Sequence, residues 1–232
     1  MRLALLADIH GNHFALQAVL DSIKRHEVGK LLIAGDFLGY YFWPREVLEL
    51  LSAWDVNAIR GNHEDMFVKA GKSPEFLEHV NANYGEGLQV ALDTLTSDQI
   101  NWLENLPHSL EFDTGGSKIL LCHGSPWDPD EYIYPDADNE IFEKCAQTGY
   151  DWIILGHTHY PMINRSLNAT IVNPGSVGQP RNRQPGAQWA LLDTESCEIN
   201  LFCEKYNATH LIKESRGRHP ELPYLADVLV RK

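Results

Sequence analysis

Five short motifs hold the residues of this chain that could do chemistry. Asp8 and His10 lie in Asp-Ile-His-Gly-Asn, followed by Gly35-Asp36, Gly61-Asn62-His63-Glu64, His123-Gly124 and Gly156-His157-Thr158-His159. Each sets Asp, Asn or His beside a glycine where an apolar run is ending. Asp and His with one Asn, and no Cys among them, form a donor set for Mn²⁺, Fe, Zn²⁺ or Ni²⁺ rather than for a structural zinc knot. Two such ions about 3.5–4 Å apart generate a bridging hydroxide and clamp both oxygens of an in-line phosphoryl displacement. Metal-assisted hydrolysis is therefore the chemistry expected.

Spacing sharpens the assignment. Asp8 and His10 are two apart, so an extended backbone would turn both to one side and send Ile9 into the core. His157 and His159 flank Thr158 in the same way. Asp36 becomes a bridging carboxylate in a two-metal reading. Asn62 can serve as a helix cap or as an oxygen ligand. His63, just outside the metals, can donate a proton to a departing alkoxide or stabilise transition-state charge. Glu64 is expected to orient an imidazole. Singly, each motif has an ordinary structural use as a turn, cap or strand end; jointly they favour the metal site.

The elements that must position them follow from the apolar pattern. Strands are expected at residues 2–7, 30–34, 56–59, 109–113, 118–122, 152–155, 162–164, 170–172, 189–193 and 198–203. Helices are expected at 14–25, with Asn12 capping, from Pro44 to about 53, through 73–107 with a break near Leu95, and at 138–148. Thr96 and Gln99 form a candidate capping box at that break. The tail from Asn207 reads as two helical pieces separated by Gly217 and Pro220. This order implies a layered α/β protein whose second half is largely antiparallel, with ligands at strand ends.

Bulk properties bound the partners. The 232 residues can bury a sizeable core. A formal net charge of −13 argues against a general grip on nucleic acid, which rests on Lys and Arg neutralising phosphates. No apolar stretch approaches a bilayer span, and the opening run is too short for a secretory leader. Cys122, Cys145, Cys197 and Cys203 lack metal or redox spacing and read as reduced core thiols of a cytoplasmic protein.

The motif series resembles the calcineurin-like metallophosphoesterase superfamily. Asn173-Pro174-Gly175-Ser176 and the final strands resemble its smaller bacterial and archaeal phosphodiesterase-like members, and the tail from Tyr206 resembles the helical extension of longer relatives. The resemblance implies a four-layer α/β/β/α sandwich of two mixed sheets over residues 1–205, with a C-terminal helical extension at 206–232 packed on the same domain. It implies one metal held by Asp8, His10, Asp36 and His159 and a second held by Asp36, Asn62, His123 and His157. The ions would be two divalent metals, Mn²⁺ first. His63 and Asn62 take the catalytic roles.

A small phosphodiester is the expected substrate, ahead of phosphomonoesters and dinucleoside polyphosphates. The run Ile59–Glu64 is close to a Ser/Thr protein phosphatase signature, but the segment after Asp36 lacks that family's Asp-Arg-Gly arginine. Arg60, Arg181, Tyr40 and Trp127 are the candidate substrate contacts. The aromatics at 40–43 would form a wall and those at 127–134 a lid, or else an oligomer contact. The non-enzyme alternative is a protein-binding scaffold like the retromer's phosphoesterase-like subunit. That subunit has lost the catalytic histidine, whereas His63 is present here. A dinuclear hydrolase of carbonyl bonds fits the ligands but not the motif order.

Overall fold

The computed structural model describes residues 1–114, 116–166 and 168–232. The first half winds β1 (Arg2–Leu6), α1 (His13–Ile23), β2 (Lys30–Ile33), α2 (Pro44–Leu51), β3 (Val56–Ala58) and α3 (Asn62–Ala70). Three further helices follow: α4 (Pro74–Tyr84), α5 (Gly87–Thr94) and α6 (Ser97–Glu104). Strands then dominate: β4 (Ser109–Asp113), β5 (Lys118–Cys122), β6 (Trp152–Ile154), β7 (Met162–Arg165), β8 (Thr170–Asn173), β9 (Ala187–Asp193) and β10 (Glu198–Glu204). One helix, α7 (Asn139–Ala146), interrupts them, and α8 (Thr209–Arg218) and α9 (Tyr224–Asp227) follow.

The strands form two mixed five-stranded sheets, ordered β10-β9-β1-β2-β3 and β4-β5-β6-β8-β7. β1 is apolar on both faces because both are covered. Leu3 and Leu5 join Leu32, Ile119, Leu121 and Ile154 in the core between the sheets. Ala4 and Leu6 turn the other way, onto Leu16 and Val19 of α1, Val47 of α2 and Phe67 of α3. The outer face of the second sheet, with Leu120, Ile153 and Ile171, packs on Phe142 and Cys145 of α7. The result is the α/β/β/α layering.

Pairing in the second half is antiparallel at β4–β5, β7–β8 and β9–β10, but β5–β6 and β6–β8 are parallel. The largely antiparallel expectation thus fails at the centre of the second sheet, where α7 carries the chain from β5 back to start β6 in the same direction. Consequently β1, β2 and β3 run parallel in one sheet and β5 and β6 in the other.

Local signals account for most element ends. Asn12 Oδ1 accepts from the Ala15 N–H at the start of α1 (3.1 Å), and Thr96 and Gln99 form the capping box of α6. The middle segment breaks a second time, at Gly85 (φ +80°). α8 runs through Gly217, so Pro220 alone ends the first tail helix. Glycine costs a helix about 1 kcal/mol, while proline removes the donor and clashes. Leu211, Leu225 and Leu229 of the tail pack on Tyr40, Tyr41 and Phe42, and the Tyr41 hydroxyl donates to the Leu225 carbonyl (3.0 Å). Of the cysteines, Cys122 and Cys145 are core thiols, but Cys197 is exposed and Cys203 half-buried.

Candidate metal centre

The turns after β1, β2, β3, β5 and β6 bring Asp8, His10, Asp36, Asn62, His123, His157 and His159 to one edge of the two sheets. Asp8, His10, Asp36 and His159 form one group, and Asp36, His123 and His157 another; within each, the ligand atoms lie within 4.8 Å of one another. Asp36 belongs to both. Asn62 Oδ1 sits 3.1 Å from His123 Nε2 and 3.1 Å from His157 Nδ1, completing the second group.

The backbone reaches this convergence by a route the spacing did not predict. Asp8, His10, Asp36, His157 and His159 all have positive φ (56°, 51°, 58°, 68° and 60°), so neither alternating pair sits on extended chain. Each such residue costs roughly 1–2 kcal/mol for an L-amino acid. A net of bonds holds the turns in place. Ile9 and His10 both donate to the Asp36 carbonyl (2.8 and 3.0 Å), and the His157 N–H donates to Asp8 Oδ1 (3.0 Å). Ser176 Oγ donates to the Asp8 carbonyl (2.7 Å), and Asn173 Nδ2 to the Gly156 carbonyl (2.7 Å). The Asn-Pro-Gly-Ser stretch is therefore a clamp across two ligand turns.

Every ligand imidazole is oriented by a backbone carbonyl. His10 Nδ1 donates to Leu38 (2.8 Å), His123 Nδ1 to Ala34 (2.6 Å), His159 Nδ1 to Gln179 (2.6 Å) and His157 Nε2 to Asp130 (3.2 Å). A carbonyl can only accept, so each ring turns its other nitrogen inward. Glu64 plays a different part from the one expected. It touches no imidazole but accepts from the N–H groups of Asp36, Phe37, Leu38 and Gly61 (2.9–3.1 Å), pinning the turn that carries Asp36.

This arrangement fits bound cations. His10 Nε2 faces His159 Nε2 at 3.0 Å, lone pair against lone pair in the tautomers the carbonyls impose. Burial pushes both rings well below the usual imidazole range, so repulsion is relieved only by a cation between them. Asp8 Oδ2 is buried without a hydrogen-bond partner. A Cβ on Gly61 would run into Asp36 Oδ1 and sit 2.8 Å from His123 Nε2, filling the space where the second group converges. Burial opposes charge on His123, yet Asp36 and Asp8 raise it to about 10; burial likewise raises Asp8 to about 7.

His63 lies against the first group. Its ring is edge-on to His10 (centroids 4.6 Å), its main-chain N–H donates to Asp36 Oδ1 (2.9 Å), and its buried Nδ1 has no partner. Burial, opposed by Asp36, lowers it to about 4, so the ring rests neutral with one N–H to offer.

The family model for the calcineurin-like phosphoesterase superfamily domain matches residues 1–197. The chain belongs to that superfamily. The protein MJ0912 of Methanocaldococcus jannaschii is 28% identical over 222 residues, covering 88% of each chain. The crystal structure of PH1004 from Pyrococcus horikoshii superposes with a TM-score of 0.86 at 25% identity, covering 99% of this chain and 98% of that one. A metallophosphoesterase from Sphaerobacter thermophilus superposes at 0.78 with 25% identity over 100% and 99%. The protein is accordingly a metallophosphoesterase, a hydrolase of phosphoester bonds.

The expected substrate contacts of this phosphoesterase divide. Tyr40 (φ +54°) stands edge-on to His10 at 4.6 Å, and Arg181 Nη2 donates to its hydroxyl (3.0 Å). Both belong to the cluster. Arg60 does not: its guanidinium donates to the Leu106 carbonyl (3.0 Å) and Asp65 (3.2 Å), bracing α3. Trp127 turns toward α7, where Lys144 Nζ lies 3.5 Å from its ring centre. Tyr132 of the same loop meets the site instead, 4.0 Å from the His157 ring. Tyr84, 6.0 Å from His63, and Tyr224, 6.4 Å from Tyr40, had no signal beyond being tyrosines in helical segments. Among the described residues, no helix is long and apolar enough to cross a membrane.

Proposed function

We propose that this phosphoesterase is a phosphodiesterase working with two divalent ions, Mn²⁺ first among them. The observation that carries the reading is Asp36, shared by two ligand groups that each close within 4.8 Å. Asp8, His10, Asp36 and His159 would hold one ion, and Asp36, Asn62, His123 and His157 the other. Bound there, such ions supply an activated water and neutralise charge on the phosphoryl oxygens. Asn62 and Arg181 face the same space and donate to those oxygens. His63 offers its N–H to the leaving oxygen. Cysteines standing free support a reducing, cytoplasmic setting.

Turnover of bis(p-nitrophenyl) phosphate and p-nitrophenyl phosphate by Mn²⁺-loaded protein tests this, with bound metal counted alongside. Diester hydrolysis that collapses in His63→Ala and Asn62→Ala supports it. A metal content of two with neither ester cleaved counts against it.

A further inference from the structure

Some of the most exposed aromatic side chains converge on one opening. Tyr84, Tyr132, Tyr134 and Tyr224 are 37, 50, 38 and 37% exposed. They come from three separate places: the end of α4, the loop before α7, and α9 in the tail. Tyr84 lies 5.9 Å from Tyr40 and 6.0 Å from His63, Tyr224 lies 6.4 Å from Tyr40, and Tyr132 lies 4.0 Å from His157, so the three segments border the ligand cluster.

The rings are also held in place. Tyr132 and Tyr134 stack at 5.9 Å with 14° between planes, and Tyr132 lies over His157. The Tyr224 hydroxyl donates to the Asn83 carbonyl (2.8 Å), tying α9 to the end of α4 beside Tyr84. Arg231 Nη2 donates to the Arg181 carbonyl (2.9 Å), so the tail also braces the arginine at the site. A tyrosine serving only the core would be covered. Rigid, half-bare rings beside a reaction centre are poised for a ligand, at little ordering cost.

Resting on the phosphodiesterase reading, we infer that these tyrosines form a cradle for the nucleobase of a nucleoside phosphodiester, with the phosphate at the ligand cluster and beside Arg181. An alkyl or bare sugar ester would leave the ring faces in water, whereas a planar heteroaromatic group covers them. Stacking of a base on an aromatic ring contributes about 1–3 kcal/mol, roughly tenfold or more per ring.

Two measurements on Mn²⁺-loaded protein test the cradle. The first is calorimetric binding of adenosine 5′-monophosphate against ribose 5-phosphate, which differ only in the base. The nucleotide should bind at least about tenfold tighter, and this ratio should shrink in Tyr132→Leu and Tyr84→Leu but persist in Tyr132→Phe. Equal affinities in the wild type overturn the cradle, as does a ratio that survives both leucine variants. The second compares kcat/KM for adenosine 5′-(p-nitrophenyl phosphate) and methyl p-nitrophenyl phosphate, which share a leaving group. Preference for the nucleoside ester supports the cradle. Equal turnover overturns it and leaves the phosphodiesterase reading standing. If both esters are inert while the nucleotide is still preferred in binding, the cradle stands and the reaction assignment falls.

Discussion

The ligand cluster and the tyrosine rim above it are built in opposite ways. The cluster is assembled from five turns, each a few residues long, and apart from Asn62 its ligands are at most 5% exposed. Its backbone is strained at five positions and braced by carbonyls, Ser176, Asn173 and Glu64. The rim draws its tyrosines from remote segments on relaxed backbone. The strained part is where atoms must be placed to a fraction of an ångström for metal binding. The relaxed part need only present flat surface. Chemistry should therefore be lost steeply by changes in the cluster, and selectivity shallowly by changes in the rim.

The largest expected effect is at the residue both groups share. Asp36→Asn removes the carboxylate proposed to bridge the two ions and should lower kcat/KM by about a thousandfold or more. Bound Mn²⁺, counted by mass spectrometry, should fall below two per chain; two retained ions would break the assignment of Asp36 as the shared ligand. His63→Ala should cost about 10²- to 10⁴-fold in kcat with the metal count unchanged. The loss should be greater for a poor alkoxide leaving group than for p-nitrophenolate, since only the former needs a donor. A uniform loss across leaving groups would show that His63 acts on phosphoryl charge instead.

Glu64→Gln probes the bracing of the cluster and ranks next. A glutamine keeps one acceptor but turns an NH₂ toward backbone N–H groups that Glu64 now satisfies. Stability should drop by about 1–3 kcal/mol, read as a fall of several degrees in Tm. Metal affinity should weaken by about 10- to 100-fold, as for other partners of the ligand layer. Excess Mn²⁺ should restore activity to Glu64→Gln and not to Asp36→Asn. Rescue of both would erase the distinction between ligand and brace.

What could be read from the sequence divides along the same line. The convergence of the candidate ligands was legible because each motif is contiguous and ends an apolar strand, and Asp8, His10, Asp36, Asn62, His123, His157 and His159 all arrive at one edge. Their conformation was not, since two-residue spacing is equally compatible with extended chain and with the positive φ that the clamping bonds impose. Glu64 was misjudged because its partners are main-chain N–H groups, which no motif displays. Trp127 and Tyr132 sit in one aromatic loop, and the sequence does not display that Trp127 turns away to meet Lys144 of α7 while Tyr132 meets His157. Tyr84 and Tyr224 are brought to the rim by the docking of the tail, a long-range event with no local signature.

The two arginines flagged from the sequence give the finest test of the contrast. Arg181 reaches the cluster through Tyr40, and Arg60 adjoins the Asn62 motif yet is committed to Leu106 and Asp65. Arg181→Gln removes the charged donor proposed to meet the phosphoryl oxygens and should lower kcat/KM by roughly tenfold to a hundredfold. Arg60→Gln should leave kcat/KM within about twofold and cost about 1 kcal/mol of stability, the worth of one such bond and a half-exposed ion pair. Sequence proximity to a ligand ranks Arg60 first, whereas the direction of its side chain ranks it last. A kcat/KM loss for Arg60→Gln equal to that of Arg181→Gln would mean that Arg60 leaves Asp65 when substrate binds, and the cluster would then extend to α3.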